Sequence, residues 1–234
     1  GEMAGRPALV VNNAGEGRAI LLNMFVDSYP RRRDLGVARP LLRLVGETLN
    51  LAGVTAPIGI EVTGDHHAYV ARYLSGETTF VGVVRDLERG GAEVTLDLRE
   101  PAHVYDVRAG ESLGRKARIS AAMEPGQCRM YALLPYEVSG VNVRTRGEVL
   151  QRGDEVDINV SIDANAGPGL HVYRLEVIDP TGDPRPWYNA QLTAEHGVAS
   201  GEFRLALNDE TGTWTMRATD VATGVTGDVQ VTVE

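Results

Sequence analysis

Apolar and polar residues alternate in short runs over most of this chain, and turn-forming residues break the runs at short intervals. Between residues 58 and 143 the runs read IGIEVTG, HAYVARYLS, TTFVGVVRDL, AEVTLDL, HVYDV, ARISAAM and CRMYALLP. About seven strands at roughly ten-residue spacing predict an antiparallel sandwich. In 92–98 the alternation sets Val94, Leu96 and Leu98 on one side and Glu93, Thr95 and Asp97 on the other. Within this region 101–135 reads as three closing strands, HVYDV, ARISAAM and CRMYALLP, separated by the turns RAGESLG and EPGQ.

The flanks follow different patterns. Residues 6–26 form two apolar runs around Asn12, Asn13, Ala14, Gly15, Glu16 and Gly17, which predicts a hairpin whose nearly continuous apolar arms expect cover on both faces. In 35–52, Leu41, Leu44, Val45, Leu49 and Ala52 recur at three- and four-residue steps, an amphipathic helix with Pro40 in its first turn and a stop at Gly53. A hairpin and one helix make no core alone. From 138, VSGVNVRTRGEVLQRGDEV reads as a linker into a second set of strands, EVDINVSI, HVYRLEVIDP, GVASGEFRLAL, GTWTMRATD and TGDVQVTVE. The predicted fold is mainly β, two tandem antiparallel sandwiches with an N-terminal hairpin and one α-helix. Its expected divisions are 1–56, 57–143 and 144–234.

Two stretches carry resemblances. GRPALVVNNAGEGRAILLNM, with its apolar strand, Gly-x-Gly-Arg and second apolar strand before a helix, resembles the closing hairpin of the amidotransferase-like trimerisation domain of family 42 β-galactosidases. The nucleophile segment of that domain is missing, so no amidotransferase chemistry carries over. HVYDVRAGESLG followed by EPGQCRMYALLP is similar to the small sandwiches that end many bacterial glycoside hydrolases. In the last division, Asp179-Pro180-x-Gly182 and Thr211-Gly212-Thr213-Trp214 resemble immunoglobulin-like domains of the macroglobulin type. These resemblances imply a non-catalytic accessory region of a larger bacterial hydrolase-like protein, outside the cytoplasm, whose partner is the remainder of that polypeptide. The start at Gly1 without an initiator Met fits such a piece.

Composition narrows the classes further. A net charge of -9, with Arg31, Arg32 and Arg33 as the only basic run, argues against nucleic acid. No run reaches the roughly 18 apolar residues of a membrane span. The single cysteine, Cys128, excludes an internal disulfide and is expected as a buried, inert thiol.

Candidate chemistry is sparse, and neither a catalytic residue nor a cofactor nor a metal site is predicted. Adjacent His66 and His67 after Asp65 face opposite ways on a strand and suit one ion poorly. Glu100 and Asp106 are not singled out as a glycosidase pair, and Asp106 after Tyr105 is expected to tie its strand to neighbours. The acidic turns at Asp154, Glu155 and Asp157, at Asp163 and Asn165, and at Asp179 and Asp183 lack an EF-hand spacing. Trp214 alternates with Met216 and Ala218 and is expected in the core. Trp187 and Tyr188 stand instead in the loop PRPWYNAQ beside Asn189 and Gln191, the candidate ligand-binding residues if a polysaccharide or cell surface is bound through exposed rings.

Overall fold

The computed structural model describes residues 5, 7–23, 31, 35, 39–64, 66–87 and 90–234. Arg32, Arg33, residues 36–38 of the expected helix, and Asp65 lie outside the described residues. The chain divides into two units, Gly1–Pro57 and Ile58–Glu234.

In the first unit, β1 (Leu9–Ala14) and β2 (Gly17–Leu22) pair antiparallel across a turn in which Gly15 takes a φ of 60°. Helix α1 (Arg39–Leu51) ends as expected at Gly53, and the mechanism is visible. The Gly53 N–H donates to Asn50 O, the Val54 N–H donates to Leu49 O, and Gly53 holds a φ of 75°. That is a Schellman closure, which satisfies carbonyls the helix leaves open. Arg18 adds a hydrogen bond to Leu51 O at 2.6 Å, placing a cation at the negative helix end. Every residue described in this unit is exposed or half-buried.

The second unit opens with β3 (Gly59–Val62), β4 (Ala68–Ser75), β5 (Thr78–Arg85), β6 (Ala92–Asp106), β7 (Glu111–Met123) and β8 (Cys128–Leu134). They form one six-stranded sheet in the order β3-β6-β8-β5-β4, with β7 paired to β6. AEVTLDL and HVYDV, expected as two strands, are halves of β6. Between them the register shifts from Asp97 to Ala102, Arg99 takes a φ of 65°, and Pro101 has no N–H for the ladder. Before the bulge β6 pairs with β3; beyond it, with β8. The turn after β6 is also shorter than RAGESLG, because β7 already begins at Glu111.

The remaining strands are β9 (Val138–Thr145), β10 (Val149–Leu150), β11 (Glu155–Ala164), β12 (His171–Ile178), β13 (Ala190–Ala194), β14 (Val198–Arg204), β15 (Gly212–Asp220) and β16 (Thr226–Val233). They build an immunoglobulin-like pair of sheets, β14-β11-β9 facing β10-β16-β15-β12-β13. The expected linker is not one. Val138, Val141 and Val143 are buried on β9, which pairs antiparallel with β11, and the chain then crosses to pair β10 parallel with β16. As predicted, Trp214, Met216 and Ala218 are fully buried. Cys128 is only half-buried, because it lies in the first three residues of β8, which are half-buried on both faces, before the strand enters the two cores.

What joins the two sets of sheets is the period of two along shared strands. On β8, Tyr131 and Leu133 enter the core of the first sheet, while Ala132 and Leu134 enter the immunoglobulin-like core. On β6, Val104 and Tyr105 divide the same way. A strand buried on both faces needs a continuous apolar run, which is what CRMYALLP supplies. The turns also meet. A Cβ on Gly224, between β15 and β16, would lie 2.3 Å from the Cα of Gly110, between β6 and β7.

Gly224→Ala, at a φ of 75° and against that backbone, is expected to cost about 3 kcal/mol in urea unfolding. Gly167→Ala, where a Cβ meets open space, is expected to change stability by less than about 0.5 kcal/mol.

Candidate functional site

The loop 179–189 is built around one carboxylate. Asp179 Oδ1 accepts from the Thr181 N–H (2.9 Å), the Thr181 hydroxyl (2.7 Å) and the Asp183 N–H (2.9 Å), and Oδ2 pairs with Arg185. Burial pushes the Asp179 carboxyl up, but these hydrogen bonds and Arg185 outweigh it and hold the group below its ordinary range. Arg185 also lies 3.8 Å from Glu210 and stands over the Trp187 ring, 5.4 Å from its centroid.

The four candidate residues do not share one surface. Trp187 is 64% exposed on the 3-10 turn Pro186–Tyr188. Tyr188 turns inward, so the two rings do not form an exposed pair. Its ring packs at 4.8 Å from Phe203 and edge-on to Trp214, and its hydroxyl donates to Asp209 Oδ2 at 2.6 Å while accepting from the Ala206 N–H. Burial first, and then the bond to Asp209, raises the phenol pKa. Asn189 spends its Oδ1 on the Val177 N–H at 3.0 Å, fastening the turn to β12. Gln191 is exposed on β13, opposite Arg174. What remains is one exposed indole, flanked by Arg185 and anchored from below by Tyr188.

A second constellation was not anticipated from the sequence. His171 is buried, with Nδ1 2.9 Å from Asp220 Oδ1 and Nε2 2.9 Å from the Tyr136 hydroxyl. A carboxylate facing Nδ1 calls for a proton there, leaving Nε2 to accept from Tyr136. That hydroxyl also accepts from the Gly169 N–H at 2.8 Å, and Asp220 Oδ2 takes the N–H and hydroxyl of Thr223. The order hydroxyl, imidazole, carboxylate is that of a proton relay. Here each member is almost wholly enclosed, so it bonds the protein to itself. Tyr105 completes the seam by accepting from the Val138 N–H at 2.8 Å. Burial pushes the phenols of Tyr105, Tyr136 and Tyr173 up, which keeps them neutral. No motif spacing reveals this set, because its members come from three separate stretches.

The remaining candidates are mostly engaged. Asp106, as expected, ties its strand down: it caps the N–H groups of Arg108 and Ala109 and pairs with Arg129 at 3.2 Å. Asp163 accepts from Asn142, and Asn165 from the Glu137 N–H. The His67 N–H donates to Asp86. Glu155, Asp157 and Glu202 place carboxylate oxygens within 4.8 Å of one another, the one described group able to hold a cation. Glu155 and Glu202 are exposed and Asp157 is half-buried on β11 and β14, with Arg204 3.1 Å from Glu155 and Arg146 3.8 Å from Asp157 already offsetting their charge. No helix among the described residues is long and apolar enough to cross a membrane.

No protein-family model and no curated protein sequence matches the chain. Solved structures with similar arrangements include the amphioxus IgVJ-C2 molecule, with 12% identity, a TM-score of 0.25, and 62% of this chain and 59% of that one covered. The Yersinia pseudotuberculosis adhesin InvE has 11% identity and a TM-score of 0.29 over 76% of this chain and 48% of that one. A DUF4785 family protein from Legionella pneumophila has 12% identity and a TM-score of 0.31 over 79% and 67%. The chain thus spans 59% and 48% of the length of the first two. None of these likenesses carries an argument about function.

Tyr188→Phe is expected to cost about 1 kcal/mol in urea unfolding, since the bond to Asp209 is lost while the Ala206 N–H and Asp209 keep each other at 2.7 Å. Trp187→Ala is expected to stay within about 0.5 kcal/mol of the parent. Asp179 has a depressed folded-state pKa, so its contribution is present above the ordinary carboxylate value and is lost as pH falls through the folded one. The Tm gap between the parent and Asp179→Asn should therefore be full at neutral pH and shrink below about pH 4.

Proposed function

We propose that the chain is a non-catalytic accessory region of a larger, carbohydrate-active bacterial protein acting outside the cytoplasm. Its second unit serves there as a rigid spacer that orients what is attached to it. The observation supporting this is the sharing of β6 and β8 by two cores, sealed by the Tyr136–His171–Asp220 chain. A flexible tether has no need to bury a fully paired polar network between its modules, whereas a spacer that holds an angle gains from one. The carbohydrate context rests on the resemblance of the hairpin and closing strands to family 42 β-galactosidases and other glycoside hydrolases.

Spin labels on exposed residues of β6 and β14, introduced as Glu93→Cys and Glu202→Cys with Cys128→Ser, test the spacer reading. One narrow distance distribution is expected, and a broad one contradicts it. Hydrolysis of chromogenic glycosides by the purified chain would overturn the non-catalytic part.

A second reading is favoured by Trp187 alone, whose exposed ring beside Arg185 suits a pyranose face. If the chain is itself a glycan- or surface-binding module, glycan-array binding should weaken at least about tenfold in Trp187→Ala, the equivalent of ~1.4 kcal/mol. Binding that survives this change removes the reading.

A further inference from the structure

Strand β4 is an edge left open. It closes one end of the sheet order β3-β6-β8-β5-β4 and pairs only with β5 among the described residues. Unpaired edges invite further strands, and proteins ordinarily guard them with charge, proline, a bulge or short length. The β7 edge shows that guard, with exposed Arg115, Lys116 and Arg118. The β3 edge is four residues long. By contrast, β4 runs eight residues as AYVARYLS without a bulge or a proline and with Arg72 as its one charge.

Its side chains are also unguarded. Tyr69 and Tyr73 are each 59% exposed on the same face, with Ala71 between them. Opposite them on β5 stand Val84, Gly82 and Phe80, so the aromatic pair flanks a low apolar floor.

The order of residues selects the partner. We propose that β4 pairs antiparallel with β4 of a second copy of this chain, across a two-fold axis at Ala71. About that axis the sequence is self-complementary. Tyr69 faces Tyr73 of the other copy, Val70 faces Arg72 and Ala68 faces Leu74, each pair occurring twice, and Ala71 faces Ala71 once, on the axis. Two aromatic cross-strand pairs result, and no like charges stand opposite. An isologous contact of this kind closes on itself as a dimer and does not propagate. A strand from an unrelated protein would gain the backbone bonds but has no reason to match Tyr with Tyr about one alanine.

Sedimentation velocity over a concentration series tests this, with Ala71→Lys as the disrupting variant and Ala71→Cys in a Cys128→Ser background as the reporting one. The parent is expected to double in mass with rising concentration. Ala71→Lys, which sets two ammonium groups face to face at an exposed site, should remain monomeric with an unchanged Tm. Ala71→Cys should form a disulfide-linked dimer under mild oxidation. A parent that is monomeric at its highest soluble concentration, or a dimer that Ala71→Lys leaves intact, overturns the proposal.

Discussion

The buried hydrogen-bond chain from the Gly169 N–H through Tyr136 and His171 to Asp220 and Thr223 is the constraint on which the second unit depends. Burying an imidazole and a carboxylate costs several kcal/mol unless both find partners. Here the three linked side chains come from different stretches: Tyr136 follows β8, His171 begins β12, and Asp220 ends β15. The groups are therefore satisfied in one relative arrangement of the strands. An apolar seam of the same area would tolerate sliding, whereas this one fixes a register.

Packing around the chain reinforces that arrangement. Tyr105 carries its ring into the immunoglobulin-like core from β6 and uses its hydroxyl on the first N–H of β9. Gly224 allows its turn to touch the turn at Gly110, where a side chain on Gly224 would separate them. The chemistry-bearing residues thus divide by location. His171, Asp220, Tyr136 and Tyr188 are committed to the interior, and what faces outward is a single indole, a compensated acidic group and one aromatic edge strand.

Much of this was legible in the sequence, and the parts that were not share a cause. Trp214, Met216 and Ala218 were readable as core because alternation reports which face of a strand is buried. The helix end at Gly53 was readable because its closure is local. Tyr188 was misplaced, because adjacency to exposed Trp187 does not reveal that neighbouring side chains on a 3-10 turn diverge. The linker reading of 138–156 failed for a related reason: polar residues on the solvent side of β9 hid a valine face, and β11 and β16, the strands that pair with or pack on β9, lie later in the chain. The Tyr136–His171–Asp220 chain left no local trace at all, since its spacing is set by three-dimensional return of the strands. Similarly, CRMYALLP announced burial on both faces but not that two different cores provide it.

The central claim is that these two cores are one cooperative body, and the residues needed to test it are already in place. Cys128, the single cysteine, reports on the first sheet, and Trp187 and Trp214, the two tryptophans, report on the immunoglobulin-like sheets. Cys128 thiol reactivity and tryptophan fluorescence should be followed on one urea series. The account predicts that the two curves superimpose, with one midpoint and one slope. Exposure of Cys128 at urea concentrations where the fluorescence is still native would contradict it.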